Sequence, residues 1–343
     1  MNYFNKYVSN TLASTLNQLY FKSDNTKQKG RVYFKVLSSG TYEYSLLFTD
    51  TIDSTYADGS ISKANEPCGE WTIYSLKLVV NEKEFPLTFN GSSEKKAEKH
   101  ESFNTDPITV SIENEFYIEI EFSGTKIPYF EEILIPTKRF INGEWVDDKK
   151  VPTPSMVGIV RNVEKKIGFL GDSITQGIGT AMDSYSQWNA KIAEFIGEKY
   201  SYWNLGIGFA RAYDAASNGE WLNKAKEMDI VTICLGVNDL GSGCTSYEIQ
   251  NNLKKIVQIL QENNVRTILF TVPPFDYDEA NNKKWREINS YILNELSKIT
   301  ETYDVVSIWG QEAPNEHLVK YGGHPNEEGC LKLAKDFVSK INL

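Results

Sequence analysis

The stretch Ile167-Gly168-Phe169-Leu170-Gly171-Asp172-Ser173-Ile174-Thr175-Gln176-Gly177 decides how the second half of this chain is read. A short apolar run, too brief for a buried helix, leads straight into a turn bounded by glycine on both sides. Such glycines permit a sharp exit from a sheet and let another molecule approach the backbone. A serine between them presents its hydroxyl at the mouth of the sheet, where nearby amides can face a developing oxyanion. Asp172 and Ser173 are also ordinary helix caps, which is the purely structural alternative. The segment is not the G-x-S-x-G turn, because residue 175 is Thr.

Toward the C-terminus, further strands are expected over 202–205, 229–235, 267–270 and 305–309. Helices are expected over 187–200, 247–262, 282–300 and 327–341, the second carrying Ile249, Leu253, Ile256, Val257 and Leu260 at helical spacing. Strands alternating with helices of this length imply a parallel sheet covered on both faces, with ligands at the carboxyl ends of its strands. Toward the N-terminus the period changes to two. The runs 31–36, 42–48, 71–78, 108–112 and 116–122 are β-branched or aromatic and are broken by Asn-Gly, Asp-Gly and Ser-Gly pairs. They predict an all-β sandwich, jelly-roll-like, with 91–100 as an exposed loop. The charged, proline-bearing segment 147–154 reads as an exposed connector, so the expected domains are 1–155 and 156–343, with 156–160 open as a last strand of the first.

Three histidines exist, His100, His317 and His324. A hydroxyl becomes a useful nucleophile beside a base of near-neutral pKa, and imidazole is the usual supplier. His324 lies in the turn-rich Gly322-Gly323-His324-Pro325-Asn326-Glu327-Glu328-Gly329 before the last helix, where Pro325 helps fix the ring's direction. His100 sits in the charged loop, and His317 reads as a residue at a helix end. No H-E-x-x-H motif or close Cys/His set is present, so no metal is expected. A dinucleotide loop at Asn204-Leu205-Gly206-Ile207-Gly208 is disfavoured, since the sixth position from Gly206 is Arg211.

Together these residues resemble the SGNH/GDSL hydrolase family. Its first block matches Gly171 to Gly177, its second Asn204 to Gly208 in part, its third Gly236-Val237-Asn238-Asp239 and its last His324-Pro325-Asn326, in order over about residues 165–343. The resemblance implies a flavodoxin-like three-layer α/β/α domain acting as an esterase, lipase, thioesterase or sugar deacetylase without a cofactor. It implies Ser173 as nucleophile, His324 as general base, and an oxyanion hole made by the Ser173 amide, the Asn238 side chain and a backbone N–H at Gly208 or Phe209. Asp172 and Asp239 then support their own loops. Two positions depart from the family pattern: Phe209 stands where a glycine is usual, and Tyr321 stands where an aspartate usually orients the histidine. A backbone carbonyl, or a more distant carboxylate such as Glu312 or Glu316, would have to take that role. The sandwich-plus-hydrolase order is similar to that of carbohydrate esterases that remove acetyl groups. An acyltransferase or thioesterase would use the same residues, and a carbohydrate-binding protein without catalysis is the reading that Tyr321 favours.

The bulk numbers agree with a small-molecule or oligosaccharide ester as partner. The formal charge is -10, which argues against a nucleic acid and against an anionic membrane surface. The aromatic share is 13%, enough for rings to line a binding surface as well as cores. The first twenty residues have no continuous apolar core of a signal peptide, and no apolar run is long enough to span a bilayer. Cytoplasmic location is the default expectation, with secretion if a leader has been removed. No feature of the sequence fixes an oligomeric state.

Overall fold

The computed structural model describes residues 2–54 and 64–343. The chain divides into two compact units, Met1–Val163 and Glu164–Leu343. The division falls beyond the expected position near 155 because Met156–Ile159 pairs antiparallel with Val8–Ser9 and with Gly40–Thr49. Of the segment 147–154, expected as an exposed connector, 147–150 is exposed or half-buried, but 151–154 is buried in the first unit, where the Val151 side chain fills the space above Gly30.

In the first unit the period-two runs form antiparallel strands. Five strands make one sheet around Gly40–Thr49, and seven make another whose centre is Gln28–Lys35, Glu115–Gly124 and Trp71–Val80. Alternate residues such as Val32, Phe34, Ile118, Ile120 and Phe122 are buried. Rings from the two sheets meet, Tyr44 with Phe116 at 6.3 Å and Trp71 with Phe103 at 5.8 Å between centroids. The expected loop at 91–100 contains a short strand, Lys95–Lys96, held to Thr72 and Ile73, and it buries Ala97.

The second unit is built on five parallel strands: β1 (Lys166–Gly171), β2 (Ser201–Gly206), β3 (Ile230–Cys234), β4 (Arg266–Phe270) and β5 (Glu301–Tyr303). Their order is β2-β1-β3-β4-β5, so the chain reverses direction across the sheet beside β1. Apart from the leading Lys166 and Arg266, every residue of β1 to β4 is buried, as a sheet covered on both faces requires. The helices are α1 (Ser173–Gln176), α2 (Trp188–Ile196), α3 (Ala212–Ala216), α4 (Glu220–Lys226), α5 (Val237–Gly241), α6 (Ser246–Glu262), α7 (Glu279–Asn294), α8 (Val306–Trp309) and α9 (Glu327–Lys340). Helix α2 packs with α9, and α6 packs with α3 and α7. Phe169, Trp188, Phe270, Tyr303 and Phe337 form one continuous aromatic core under the α2–α9 pair.

One expected strand is a helix. The β-branched run 305–309 is mostly α8, and the strand is the preceding Glu301–Tyr303. Hydrogen bonds at the strand end redirect the chain: Asp304 Oδ1 accepts from the Val306 amide at 3.1 Å, and Thr271 Oγ1 accepts from the Val305 amide at 3.0 Å.

Candidate active site

The carboxyl ends of the three central strands lie side by side, with Gly171 of β1 opposite Gly206 of β2 and Cys234 of β3. Each strand therefore delivers its following loop to one place, the point where the strand order reverses. A side chain at Gly171 would collide with Thr175 Oγ1 and the Cys234 carbonyl oxygen, so only glycine allows the turn into α1. Asp172 caps that helix, its Oδ1 accepting from the Ile174 amide at 2.9 Å. Asn204 ties β2 to the same turn: its Nδ2 donates to the Gln176 carbonyl at 3.2 Å, and its Oδ1 accepts from the Gly206 amide at 2.9 Å.

Ser173 is thereby set at the head of α1, and its Oγ lies 2.9 Å from His324 Nε2. The residues are 151 positions apart in sequence. His324 Nδ1 lies 3.2 Å from the backbone carbonyl oxygen of Tyr321. A carbonyl only accepts, so Nδ1 carries the proton and Nε2 of the neutral ring is left to accept from the serine hydroxyl. Gly322 makes this contact possible with φ +68°, a left-handed conformation that turns the Tyr321 carbonyl back toward the ring. The turn is anchored by hydrogen bonds from the Asp276 amide to the Gly322 carbonyl and from the Lys320 amide to the His324 carbonyl, both 2.8 Å. Asn326 caps α9 through Oδ1 to the Gly329 amide at 2.9 Å, which fixes the other side of the histidine.

Two rings hold the imidazole. Phe275 meets it edge-on at 5.2 Å between centroids, and Tyr321 lies against it at 4.9 Å. Burial among them pushes the His324 pKa below the usual imidazole value, and the Tyr321 carbonyl offsets this in part by favouring the charged form. Glu312 and Glu316 are exposed and do not hold Nδ1.

The remaining residues of interest lie on the segments that follow β1, β2 and β3. The Ser173 amide, first in α1, has no hydrogen-bond partner among the described residues. Asn238 is the second residue of α5, just after β3, and its Nδ2 donates one hydrogen to the Ala210 carbonyl at 3.0 Å, so the amide keeps a second N–H beyond that bond. Gly208 is buried, while Phe209 has φ +62° and a ring 43% exposed. For a bulky residue that backbone conformation costs on the order of 1–3 kcal/mol. Asp239 binds the start of α3, accepting from the Ala212 and Tyr213 amides at 2.8 and 3.2 Å.

Asp172 and Asp239 are buried carboxyls beneath the nucleophile. Burial, then repulsion from Asp239, pushes the Asp172 pKa up to about 7. Burial likewise pushes Asp239 up to about 6, although two amides favour its charged form. Asp172 Oδ2 is buried with no hydrogen-bond partner among the described residues. His317 is exposed and serves the turn through its carbonyl, which accepts from Asn326 Nδ2 at 3.0 Å. His100 is an exposed residue of the first unit. Among the described residues no group of three or more His, Cys, Asp or Glu side chains is arranged to hold a metal ion, and no helix is long and apolar enough to cross a membrane.

A model of the GDSL-like lipase/acylhydrolase family matches residues 169–330. That span runs from the strand before Ser173 to the helix after His324. This stretch, slightly less than half of the chain, is what is similar to that family. Outside that comparison the likenesses are distant. An uncharacterized protein of Mycoplasma pneumoniae is 24% identical over 213 residues, covering 58% of this chain and 24% of that protein. An acetylxylan esterase of Xylanibacter ruminicola is 23% identical over 255 residues, covering 64% of this chain and 49% of that protein. The chain thus spans half or less of the length of these curated relatives. A crystal structure of a lipolytic G-D-S-L family member from Veillonella parvula is 19% identical, with a TM-score of 0.45, over 51% of this chain and 97% of that one.

Within the GDSL-like unit, Phe275 and Gly322 are the site residues that sequence reasoning did not single out. The Pro273-Pro274-Phe275 run just beyond a strand end was the available signal for the first, and the Gly322-Gly323 pair before the histidine was the signal for the second.

Proposed function

We propose that this protein is a serine esterase that hydrolyses short-chain acyl esters, specifically O-acetyl groups on a carbohydrate. The observation that carries the proposal is the 2.9 Å contact between Ser173 Oγ and His324 Nε2, with Nδ1 held by a carbonyl. The similarity to that family supports ester chemistry. The sugar acetate as substrate is supported by the acetylxylan esterase among the relatives and by the net charge of -10, which suits an uncharged partner. The strand order β2-β1-β3-β4-β5 supports a flavodoxin-like reading of the catalytic unit, and the two facing antiparallel sheets support a jelly-roll-like accessory domain before it.

In this reading His324 Nε2 takes the Ser173 proton as Oγ attacks the ester carbonyl carbon. The negative oxygen is held by the Ser173 amide, the free N–H of Asn238 and the N–H of Gly208 or Phe209, each worth roughly 3 kcal/mol in the transition state. The tetrahedral intermediate collapses with loss of the alcohol, which takes the proton from His324. Water then attacks the acyl-serine, giving its proton to the same nitrogen, and Nε2 returns that proton to Ser173 Oγ as the C–Oγ bond breaks and the acid leaves. The Tyr321 carbonyl keeps the ring in the productive tautomer but offers the imidazolium a dipole where an aspartate would offer a full charge. Asp172 and Asp239 hold the loops and do not meet the substrate.

The test is acetate release from an acetylated xylo-oligosaccharide by the full chain and by Ser173→Ala. Release by the wild type that is lost in the variant is expected. Equal release by both would remove the assignment.

A further inference from the structure

Two aromatic residues on loops beyond the strand ends are left open to water, Phe209 and Tyr321. Phe209 holds a left-handed backbone that aromatic residues rarely adopt, and it leaves its ring 43% exposed. Tyr321 packs one face of its ring against His324 and is itself 66% exposed. A strained backbone such as that of Phe209 is the kind found at ligand clamps, where a bound molecule covers what the fold leaves open. The two rings are not isolated. Tyr213, which follows β2 in α3, is 59% exposed, and Tyr247, in the first turn of α6 beyond β3, is 70% exposed.

The elements that carry the two rings lead to the same reacting atoms from different sides. Phe209 follows β2, on one side of β1. Tyr321 lies on His324, whose other ring neighbour, Phe275, follows β4 on the opposite side. His324 delivers its proton to the leaving alcohol, so the ring packed on it borders that alcohol. The Phe209 backbone is one of the two candidates for the oxyanion donor after β2, so this residue stands beside the ester to whose oxygen the alcohol is bonded. An enclosed apolar pocket would suit a long acyl chain. Rings that stay open to water suit a molecule with one C–H face and a rim of hydroxyls, which is the description of a pyranose.

We infer that Phe209 and Tyr321 are specificity-determining residues, whose exposed rings stack on the pyranose of the leaving alcohol. The inference rests on the ester-hydrolase reading above, and the experiment separates the two. The full chain is assayed by pH-stat on a mono-O-acetylated methyl xyloside and on ethyl acetate, and the quantity read is the ratio of the two kcat/KM values. Whatever each variant does to absolute rate, Phe209→Asn, which tolerates the left-handed backbone, and Tyr321→Ala should each lower that ratio about tenfold, or about 1.4 kcal/mol. Phe209→Trp and Tyr321→Phe, which keep a ring, should hold it within about twofold of wild type, or about 0.4 kcal/mol. An unchanged ratio in both ringless variants overturns the inference. A wild type that cleaves ethyl acetate through Ser173 but not the sugar ester also overturns it and leaves the serine-esterase chemistry standing without its sugar substrate. Turnover of neither ester, or turnover that survives Ser173→Ala, removes the esterase reading and this inference with it.

Discussion

Replacing Asp172 by Asn should change the pH dependence of stability in a calculable direction. The carboxyl is buried, one oxygen accepts from the Ile174 amide, and the other has no hydrogen-bond partner among the described residues. Burial, with Asp239 as a lesser contributor, lifts its pKa from 3.8 to about 7. A carboxyl whose folded pKa is raised binds its proton more tightly in the folded state. Its favourable contribution is complete below the unfolded value and is lost as pH rises through the folded value. At 1.36 kcal/mol per pH unit, the wild type should lose about 3 kcal/mol between pH 4.5 and pH 8 through this group. Asn keeps the acceptor for Ile174 and cannot ionise. Any cost of its amide hydrogens is an offset that does not vary with pH. The assay is urea unfolding at both pH values, followed by tryptophan fluorescence, to which Trp188, Trp203, Trp221, Trp285 and Trp309 of the catalytic unit contribute. The difference between variant and wild type should shift in the variant's favour by roughly the calculated amount as pH rises. Parallel curves would show that the Asp172 carboxyl is not held protonated by its surroundings.

Three further outcomes are expected. Because burial lowers the His324 pKa and the neutral ring is the base, kcat/KM on p-nitrophenyl acetate should fall as pH drops, through an inflection below the ordinary 6.5; an inflection above it would contradict the described surroundings. Asn238→Ala should lower kcat by about 10²–10³ by removing an oxyanion donor. A loss under tenfold on the same ester would assign the amide to its Ala210 contact alone. Gly322→Ala places a side chain at φ +68° against the Phe275 ring and should move the Tyr321 carbonyl off Nδ1, costing about 10²-fold in kcat; an unaltered kcat would mean that this turn does not hold the histidine.

Much of the catalytic unit was legible because its signals are local. The buried strands β1 and β3 are continuous apolar runs, and the helix over Ser246–Glu262 shows its period in Ile249, Leu253 and Ile256. Burial of 151–154 was not legible, since a proline-bearing stretch directly after the charged 147–150 gives no sign that it will cover Gly30. The strand–helix choice near 305 was lost for a related reason: Val305 and Val306 suit either state, and the Thr271 and Asp304 side chains decide it through contacts absent from any local pattern. In the site, Ser173 and His324 were named from motifs and a backbone carbonyl was one alternative for the partner of Nδ1, but which carbonyl could not be read. Every residue carries one, and only the left-handed turn at Gly322 brings that of Tyr321 into place.

The central claim is that Ser173 is a nucleophile activated by His324. It is tested most directly by the mass of the protein after exposure to an ethyl p-nitrophenyl phosphonate. The account predicts one adduct, located on the peptide containing Ser173, forming with loss of esterase activity and forming far more slowly in His324→Ala. A folded, active protein that carries no adduct on Ser173, or that is labelled there equally fast without the imidazole, would contradict it.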